Sequence, residues 1–545
     1  MAQAGGKWVV SPMQKKWTIV LVLGVALAYR IILLAQDAIP LNADEAVVGL
    51  MARHIVQGRW PTFFYGQAYM GSLDATLVAL GFAFFRQEAL VIRIVQTLLY
   101  LLTILTTIIL GNRVFKSEVV GIAAGFLLAI PPVNVTLYTT ISLGGYGEAI
   151  LIGTLVLLLT LEIARSHQRR WLFLAWGFLT GLGLWAFGLT LIYSIPAGIF
   201  IVWELRRNQS WSTWKGDILL ILLGGMLGTA PMLLWAKENS IPLLLQELSG
   251  SAIGSQSLRT FLQQIGERSR NLILFGPSVT LGFRAPWDVE FLAKPLIPIV
   301  VVFWIFVFAR IVHRLRHRDE NRSAYWLLTG VIITLLLGFL LTPFGGDPSG
   351  RYFLPLYPIL AIFAGDFIVS LSNTRLGSYP AYLLLLLILA FHAWGTLEKA
   401  TINPPGLTTQ FDESTRIDHD YDDDLITFLT NQNELTGYSN YWVTYPVAFH
   451  SDEEIIYTPL LPYHLDLRYT SRDNRYDPYN DIVDSSKSVA YITLTNQTVL
   501  NKIMRETFLE KGVSWNEEII GDYLVYFSLS HPLRPAEVGD FWPWQ

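Results

Sequence analysis

The feature that most constrains this chain is a series of apolar runs, each long enough to cross a bilayer, at 17–35, 89–110, 118–134, 148–164, 171–187, 188–204, 216–235, 293–311, 324–343, 353–371 and 379–396. A helix rises 1.5 Å per residue, so roughly 17 to 25 apolar residues cross the hydrocarbon core, and the pattern predicts about eleven spans. The segment 72–85, SLDATLVALGFAFF, is too short to span comfortably and fits a helix lying at the interface. Only 15% of the 545 residues are charged, against roughly 25% in a soluble domain. The chain therefore belongs in a membrane. A net charge of -4 without a basic stripe gives no surface for nucleic acid. The absence of cysteine excludes disulfides, thiolate chemistry and Cys-type zinc sites. Lys7, Lys15 and Lys16 precede a first apolar run longer than a signal-peptide core, so an uncleaved first span is expected.

Positive charge orients the spans. With 72–85 outside the membrane and the N-terminus cytoplasmic, the short basic loops at Arg113 and Lys116, at Arg165 to Arg170, at Arg206 to Lys215, at Arg310 to Arg322 and at Arg375 all fall inside. The outer loops are then 36–88, 135–148, 236–292 and 344–352. The polar remainder from 397 to 545 is also outside, joined by the linker Pro404-Pro405-Gly406 and the acidic run Asp418 to Asp424. Predicted helices at 425–429 and 499–511 alternate with strands at 454–457, 489–494 and 523–529, which describes a small soluble α/β domain. The chain divides into a membrane domain, 1–396, and this C-terminal domain, 397–545.

The first outer loop carries most of the unusual residues. Asp44 and Glu45 open an amphipathic helix that stops near Gly58 and Pro61, and Tyr65, Gly66, Gln67, Ala68, Tyr69, Met70 and Gly71 follow as an aromatic, glycine-rich surface. A carboxylate here can take a proton from an acceptor hydroxyl or hold a divalent cation. Asn42 to Glu45 also has the spacing of a capping box, which accounts for the acids without chemistry. Glu148, after Ser142-Leu143-Gly144-Gly145-Tyr146-Gly147, has the same two readings, and Asp74 fits an interfacial helix acid. Arg351 and Tyr352 precede a span at the outer boundary, where an arginine pairs with phosphate or snorkels beside an aromatic belt. Arg259, Arg268, Arg270 and Arg284 are further candidate phosphate ligands, each of which also fits a solvated face. Arg30 and Arg93 are expected to snorkel, Asp366 to pair within the bundle, and His54 and His464 to play surface roles.

With those residues in place, the membrane region from Trp17 to Trp394 resembles the GT-C superfamily of membrane glycosyltransferases, in the branch of protein O-mannosyltransferases and aminoarabinose transferases. The resemblance lies in Asp44-Glu45 after the first span, continuing through Ala52-Arg53 to Gly58. It also lies in an acid in the second outer loop, Glu148, and in the Arg351-Tyr352, Pro355, Tyr357-Pro358 series. It implies a polytopic GT-C-like helical fold with an extracytoplasmic α/β domain. The implied activity is inverting transfer of a sugar from a polyprenyl-phosphate donor to a glycan, lipid or protein hydroxyl. Asp44 and Glu45 are the implied catalytic acids, with Asp44 the base, and Tyr65, Gln67, Tyr69, Glu148, Arg351, Tyr352, Arg259 and Arg270 the substrate-binding set. A divalent metal, Mg2+ or Mn2+, is implied at Asp44 and Glu148. Where relatives show Lys-Pro-Pro-Leu, this chain has Gln67-Ala68-Tyr69-Met70-Gly71-Ser72, which removes a phosphate-binding lysine. The competing class is a polytopic transporter or lipid flippase, which usually shows inverted repeats and broken spans; no repeat is evident here.

Overall fold

Apolar runs become helices because, in hydrocarbon, each backbone N–H and C=O has to be bonded within its own segment. A computed structural model describes residues 12–166, 169–208, 211–250, 258–317, 319–374, 377–402, 407–409, 416–464 and 466–537. Among them, seven helices are long and apolar enough to cross a bilayer: Lys16–Ala35, Ala89–Phe115, Tyr146–Arg165, Gly188–Arg207, Lys294–Arg316, Arg322–Leu341 and Tyr379–Thr401. Lys215–Gly228 and Ala230–Asn239 form a further pair bent by 64°, with Pro231 in the first turn of the second piece, where it cannot extend the helix before it. The runs expected at 118–134, 171–187 and 353–371 are shorter apolar helices, Glu118–Ala129, Trp171–Ala186 and Leu356–Ser372. Pro131-Pro132 follows the first of these and Pro355 precedes the last, and neither proline can donate to a helix. Segment 72–85 forms the short helix Leu73–Phe82. Lys7, Arg318, Arg375 and the linker Pro404 to Gly406 lie outside the described residues.

The bundle closes by small residues and paired charges. A Cβ on Gly177 would sit 2.1 Å from the Ile221 carbonyl, so Trp171–Ala186 and the helix Trp211–Gly228 meet backbone to backbone. Asp366 accepts from Arg310 Nε at 2.9 Å and Arg314 Nε at 3.0 Å, the pairing its position in a span requires. Arg30 does not snorkel: it is buried, bonds the Thr139 carbonyl at 2.5 Å and lies 4.3 Å from the centre of the Tyr100 ring.

A two-stranded hairpin, β1 (Phe63–Phe64) and β2 (Gln67–Gly71), lies between the helices Ala43–Val56 and Leu73–Phe82, with Gly66 at φ +69° making the turn. The C-terminal domain holds a five-stranded mixed sheet. Its strands are β3 (Thr436–Tyr438), β4 (Ile456–Thr458), β5 (Ala490–Leu494), β6 (Asn516–Ile520) and β7 (Tyr523–Phe527), in the order β4-β3-β5-β7-β6. β3 runs parallel to β4 and β5, and β7 runs antiparallel to β5 and β6. The helices Asp422–Gln432 and Thr498–Glu510 match the pattern read from the sequence, whereas Tyr441–His450 was hidden by the proline in its middle. Asp422 is no solvated linker acid: it is buried and takes the Tyr523 hydroxyl.

The helix Ala43–Val56 joins the two parts. It packs between Leu73–Phe82 on the membrane side and Tyr441–His450 on the other, and Arg53 bonds the Phe449 carbonyl at 3.2 Å and Asp452 at 2.7 Å. His54 is correspondingly buried rather than a surface residue, held by Tyr65 at 2.7 Å and Glu453 at 2.9 Å. Gly49 leaves space for the Phe449 ring, which a Cβ would approach to 2.4 Å. Gly49→Val is therefore expected to cost about 1–3 kcal/mol by overpacking, read as a lower Tm, with Phe449→Ala in the same chain returning part of it. An unchanged Tm in the single variant would show that the two helices do not meet there.

Candidate functional site

The site is built on the first turn of Ala43–Val56. Asn42 caps that helix: its Oδ1 accepts from Glu45 N at 2.9 Å, and its amide donates to Thr409 Oγ1 at 3.0 Å. Capping thus falls to Asn42, and neither acid is spent on it. Glu45 is buried and paired with Arg93, whose Nε and Nη2 lie 3.2 and 3.0 Å from its two oxygens. Arg93 is an internal partner rather than a snorkelling anchor. From Ala43 to Ile55, Asp44 is the one residue not fully buried. It accepts a hydrogen bond from the Tyr441 hydroxyl of the C-terminal domain. Burial and the Asp44 charge push the Tyr441 phenol well up, so it stays the donor.

Around Asp44 stand residues from both parts of the chain. The Arg475 guanidinium lies 5.2 Å from the centre of the Tyr441 ring and 5.8 Å from that of Phe64. With its amide set by hydrogen bonding, Gln67 accepts from Arg475 Nη2 at 2.8 Å and donates to Tyr69 Oη at 3.0 Å. Burial raises the Tyr69 phenol pKa, while the nearby charges of Arg475 and Arg351 oppose the rise. Arg351 pairs with Asp347 at 2.6 Å and lies 5.2 Å from the Tyr352 ring centre, and Tyr352 packs on Phe344. Tyr65 stacks on Tyr476 at 4.6 Å, at the edge of this group. Burial pushes the Asp473 carboxyl up to about 7, with Arg475 opposing and the Asp44 charge adding.

Glu148 stands elsewhere. It is buried at the head of its helix, and both of its oxygens lack a hydrogen-bond donor. Its electrostatic partner is Asp74, whose own oxygens accept from Gln96 at 2.8 Å, from the Ser142 hydroxyl and from Gly144 N at 3.1 Å. Burial raises the Asp74 pKa against those hydrogen bonds. Asp44 accepts from Tyr441, whereas Glu148 faces Asp74. Among the described residues no three His, Cys, Asp or Glu side chains gather as metal ligands. Of the arginines in 236–292, Arg268 and Arg284 are buried in local hydrogen bonds to Gln264 and Ser278. Arg270 is exposed on the helix Leu258–Leu274, and the Arg259 side chain lies outside the described residues.

Tyr441, Arg475 and Asp473 escaped the sequence reading. Tyr441 lies in an apolar helix, and the other two in a polar loop, Ser471 to Asp477, without a motif.

No family model matches the chain, and no curated protein matches its sequence. Solved structures do match. ArnT from Cupriavidus metallidurans bound to undecaprenyl phosphate aligns at TM-score 0.60 and 12% identity, over 94% of this chain and 98% of that one. The Archaeoglobus fulgidus oligosaccharyltransferase in complex with Zn and sulfate aligns at 0.54 and 13%, over 91% of this chain and 69% of that one. The same enzyme tethered with an acceptor peptide containing the NVT sequon aligns at 0.53 and 11%, over 97% and 75%. The chain is a multi-pass membrane protein with the fold of the GT-C membrane glycosyltransferases.

Two consequences can be measured. Arg93→Ala leaves the Glu45 carboxylate buried without its partner, which is expected to cost about 3–5 kcal/mol; Glu45→Met with Arg93→Met should recover most of the lost Tm. The raised Asp473 pKa gives the second. Its proton is held more tightly in the folded state, so its contribution to stability is complete below about pH 4 and lost as pH rises through about 7. Asp473→Asn should flatten that part of the Tm-against-pH curve, and an unaltered curve would remove Asp473 as its source.

Proposed function

We propose that the chain is an inverting glycosyltransferase that moves a sugar from a polyprenyl-phosphate donor to a hydroxyl acceptor at the outer membrane face. The observation that carries this reading is the freedom of Asp44: Asn42 caps the helix, Glu45 is taken by Arg93, and Asp44 keeps solvent access beside a cluster of tyrosine and arginine. Asp44 is the general base. It accepts the acceptor's hydroxyl proton as that oxygen attacks the anomeric carbon from the face opposite the phosphate. The anomeric C–O bond breaks with its electron pair going to the lipid phosphate, a stable anion that leaves without a proton. Tyr441 holds the Asp44 carboxylate in place, and Arg351 offers its guanidinium to the developing charge. Glu45 is a positioning residue, acting through Arg93 on the helix that carries Asp44.

The topology agrees with such a donor: with the N-terminus cytoplasmic, the helix Ala43–Val56 and the C-terminal domain both lie outside, away from nucleotide sugars. ArnT was seen with undecaprenyl phosphate and the archaeal enzyme with an acceptor peptide, which supports a lipid-phosphate donor and leaves a glycan, lipid or protein acceptor to the assay.

Radiolabelled polyprenyl-phosphate sugars, offered to purified wild-type and Asp44→Asn protein in lipid, test the reading. Positioned base catalysis supplies ~10²- to 10⁴-fold, so Asp44→Asn should lose transfer by that factor with Tm maintained. Full activity in Asp44→Asn removes Asp44 as base. Binding of the lipid phosphate without turnover by the wild type would point instead to transport.

A further inference from the structure

The hairpin β1–β2 carries no lysine or arginine of its own, and the structure brings a cation to it from elsewhere. Arg475 reaches the hairpin from the C-terminal domain, with its fork on Gln67 at 2.8 Å and Gly66 close beneath it. A Cβ on Gly66 would stand 3.1 Å from Arg475 Cδ, so the turn glycine also makes room for this side chain. Phe64 and Tyr441 line the guanidinium. Its backbone is fixed as well, because Arg475 N donates to Tyr445 Oη at 2.6 Å. Yet Arg475 has no carboxylate within salt-bridge distance among the described residues, and its Nε is buried without a hydrogen-bond acceptor. Arg351 is incomplete in the same manner: Asp347 takes Nη2, and the buried Nε has no acceptor. Leaving such a donor unsatisfied in a buried site is costly, and the remedy for two of them beside Tyr69 is one multidentate anion.

We propose that Arg475 and Arg351 together bind the phosphate of the lipid donor, so that the C-terminal domain supplies half of the anion site. This rests on the reading of the chain as a lipid-phosphate glycosyltransferase and adds to it the residue that holds the leaving group. The docked C-terminal domain is then required for donor binding. A truncated membrane region lacks one of the two cations.

Binding separates this role from a structural one. Wild type, Arg475→Gln and Arg475→Lys, as full chains in nanodiscs of zwitterionic lipid, are titrated with undecaprenyl phosphate and with uncharged undecaprenol. Wild type should prefer the phosphate. Arg475→Gln should weaken phosphate binding by roughly 10- to 100-fold, the scale of a lost charged hydrogen bond, with undecaprenol binding unchanged. Unchanged phosphate affinity in that variant overturns the proposal, and so does the outcome in which Arg475 serves only to hold Asp44, since that role leaves lipid-phosphate binding intact. If Arg475→Gln loses undecaprenol too, the fold has suffered and Arg475→Lys decides. Retaining the charge without the fork, it should show a reduced but non-zero preference for phosphate, and a preference equal to wild type overturns the proposal. A wild type that does not distinguish the two lipids overturns the donor class itself, a failure separate from that of Arg475.

Discussion

The buried ion pair between Glu45 and Arg93 sets the geometry on which the rest of the candidate site depends. Successive residues on a helix point about 100° apart, so fixing Glu45 onto the Ala89–Phe115 helix turns its neighbour Asp44 to another side. That side faces the C-terminal domain, where Tyr441 meets it. The pair therefore does for orientation what a cap does for hydrogen bonding, and the two tasks are divided between Glu45 and Asn42. Leaving a carboxylate in a dry site without a partner is costly enough that the helix has few other rotations open to it.

The same helix decides where the C-terminal domain sits. Gly49 admits the Phe449 ring, Arg53 reaches Asp452, and His54 joins Tyr65 to Glu453, so a single amphipathic segment bonds to the bundle on one face and the soluble domain on the other. These contacts bring side chains some four hundred positions apart into one cluster, as with Asp44 and Tyr441, which are 397 positions apart. The consequence is a site with walls of different origin: the hairpin and Arg351 from the membrane region, Tyr441, Asp473 and Arg475 from the domain beyond it.

What could be read from the sequence follows from that division. Spans are a matter of local composition, and so is the short helix Leu73–Phe82, because the cost of unbonded backbone in hydrocarbon is paid segment by segment. Asp44 was legible because it follows the first span directly. The roles of its neighbours were not. A capping box and a catalytic pair share one spacing, and only the Arg93 contact tells Glu45 from Asp44. Arg30 and Arg93 lie near span ends as snorkelling residues do, but their partners are on other helices. Tyr441 sits in a run that reads as ordinary core, and Arg475 in a loop of mixed charge. Both become informative only when the chain has folded back onto the hairpin.

The placement of the second acid bears on the chemistry in the same physical terms. Glycosyl transfer to a hydroxyl needs a base on the attacking side, while a lipid phosphate departs as an anion and asks for cations rather than for an acid. Glu148 shares a buried place with Asp74, and Asp74 in turn accepts from Ser142 and the Gly144 amide. Gly144, at φ +83°, could carry no side chain there without meeting Met70 and Phe64 of the hairpin. Asp74 thus anchors the loop on which the hairpin rests, and through Phe64 that floor reaches the Arg475 guanidinium. Read this way, the proposed base keeps its accessibility while Glu45 is held by Arg93 and Asp74 by Ser142 and the Gly144 amide.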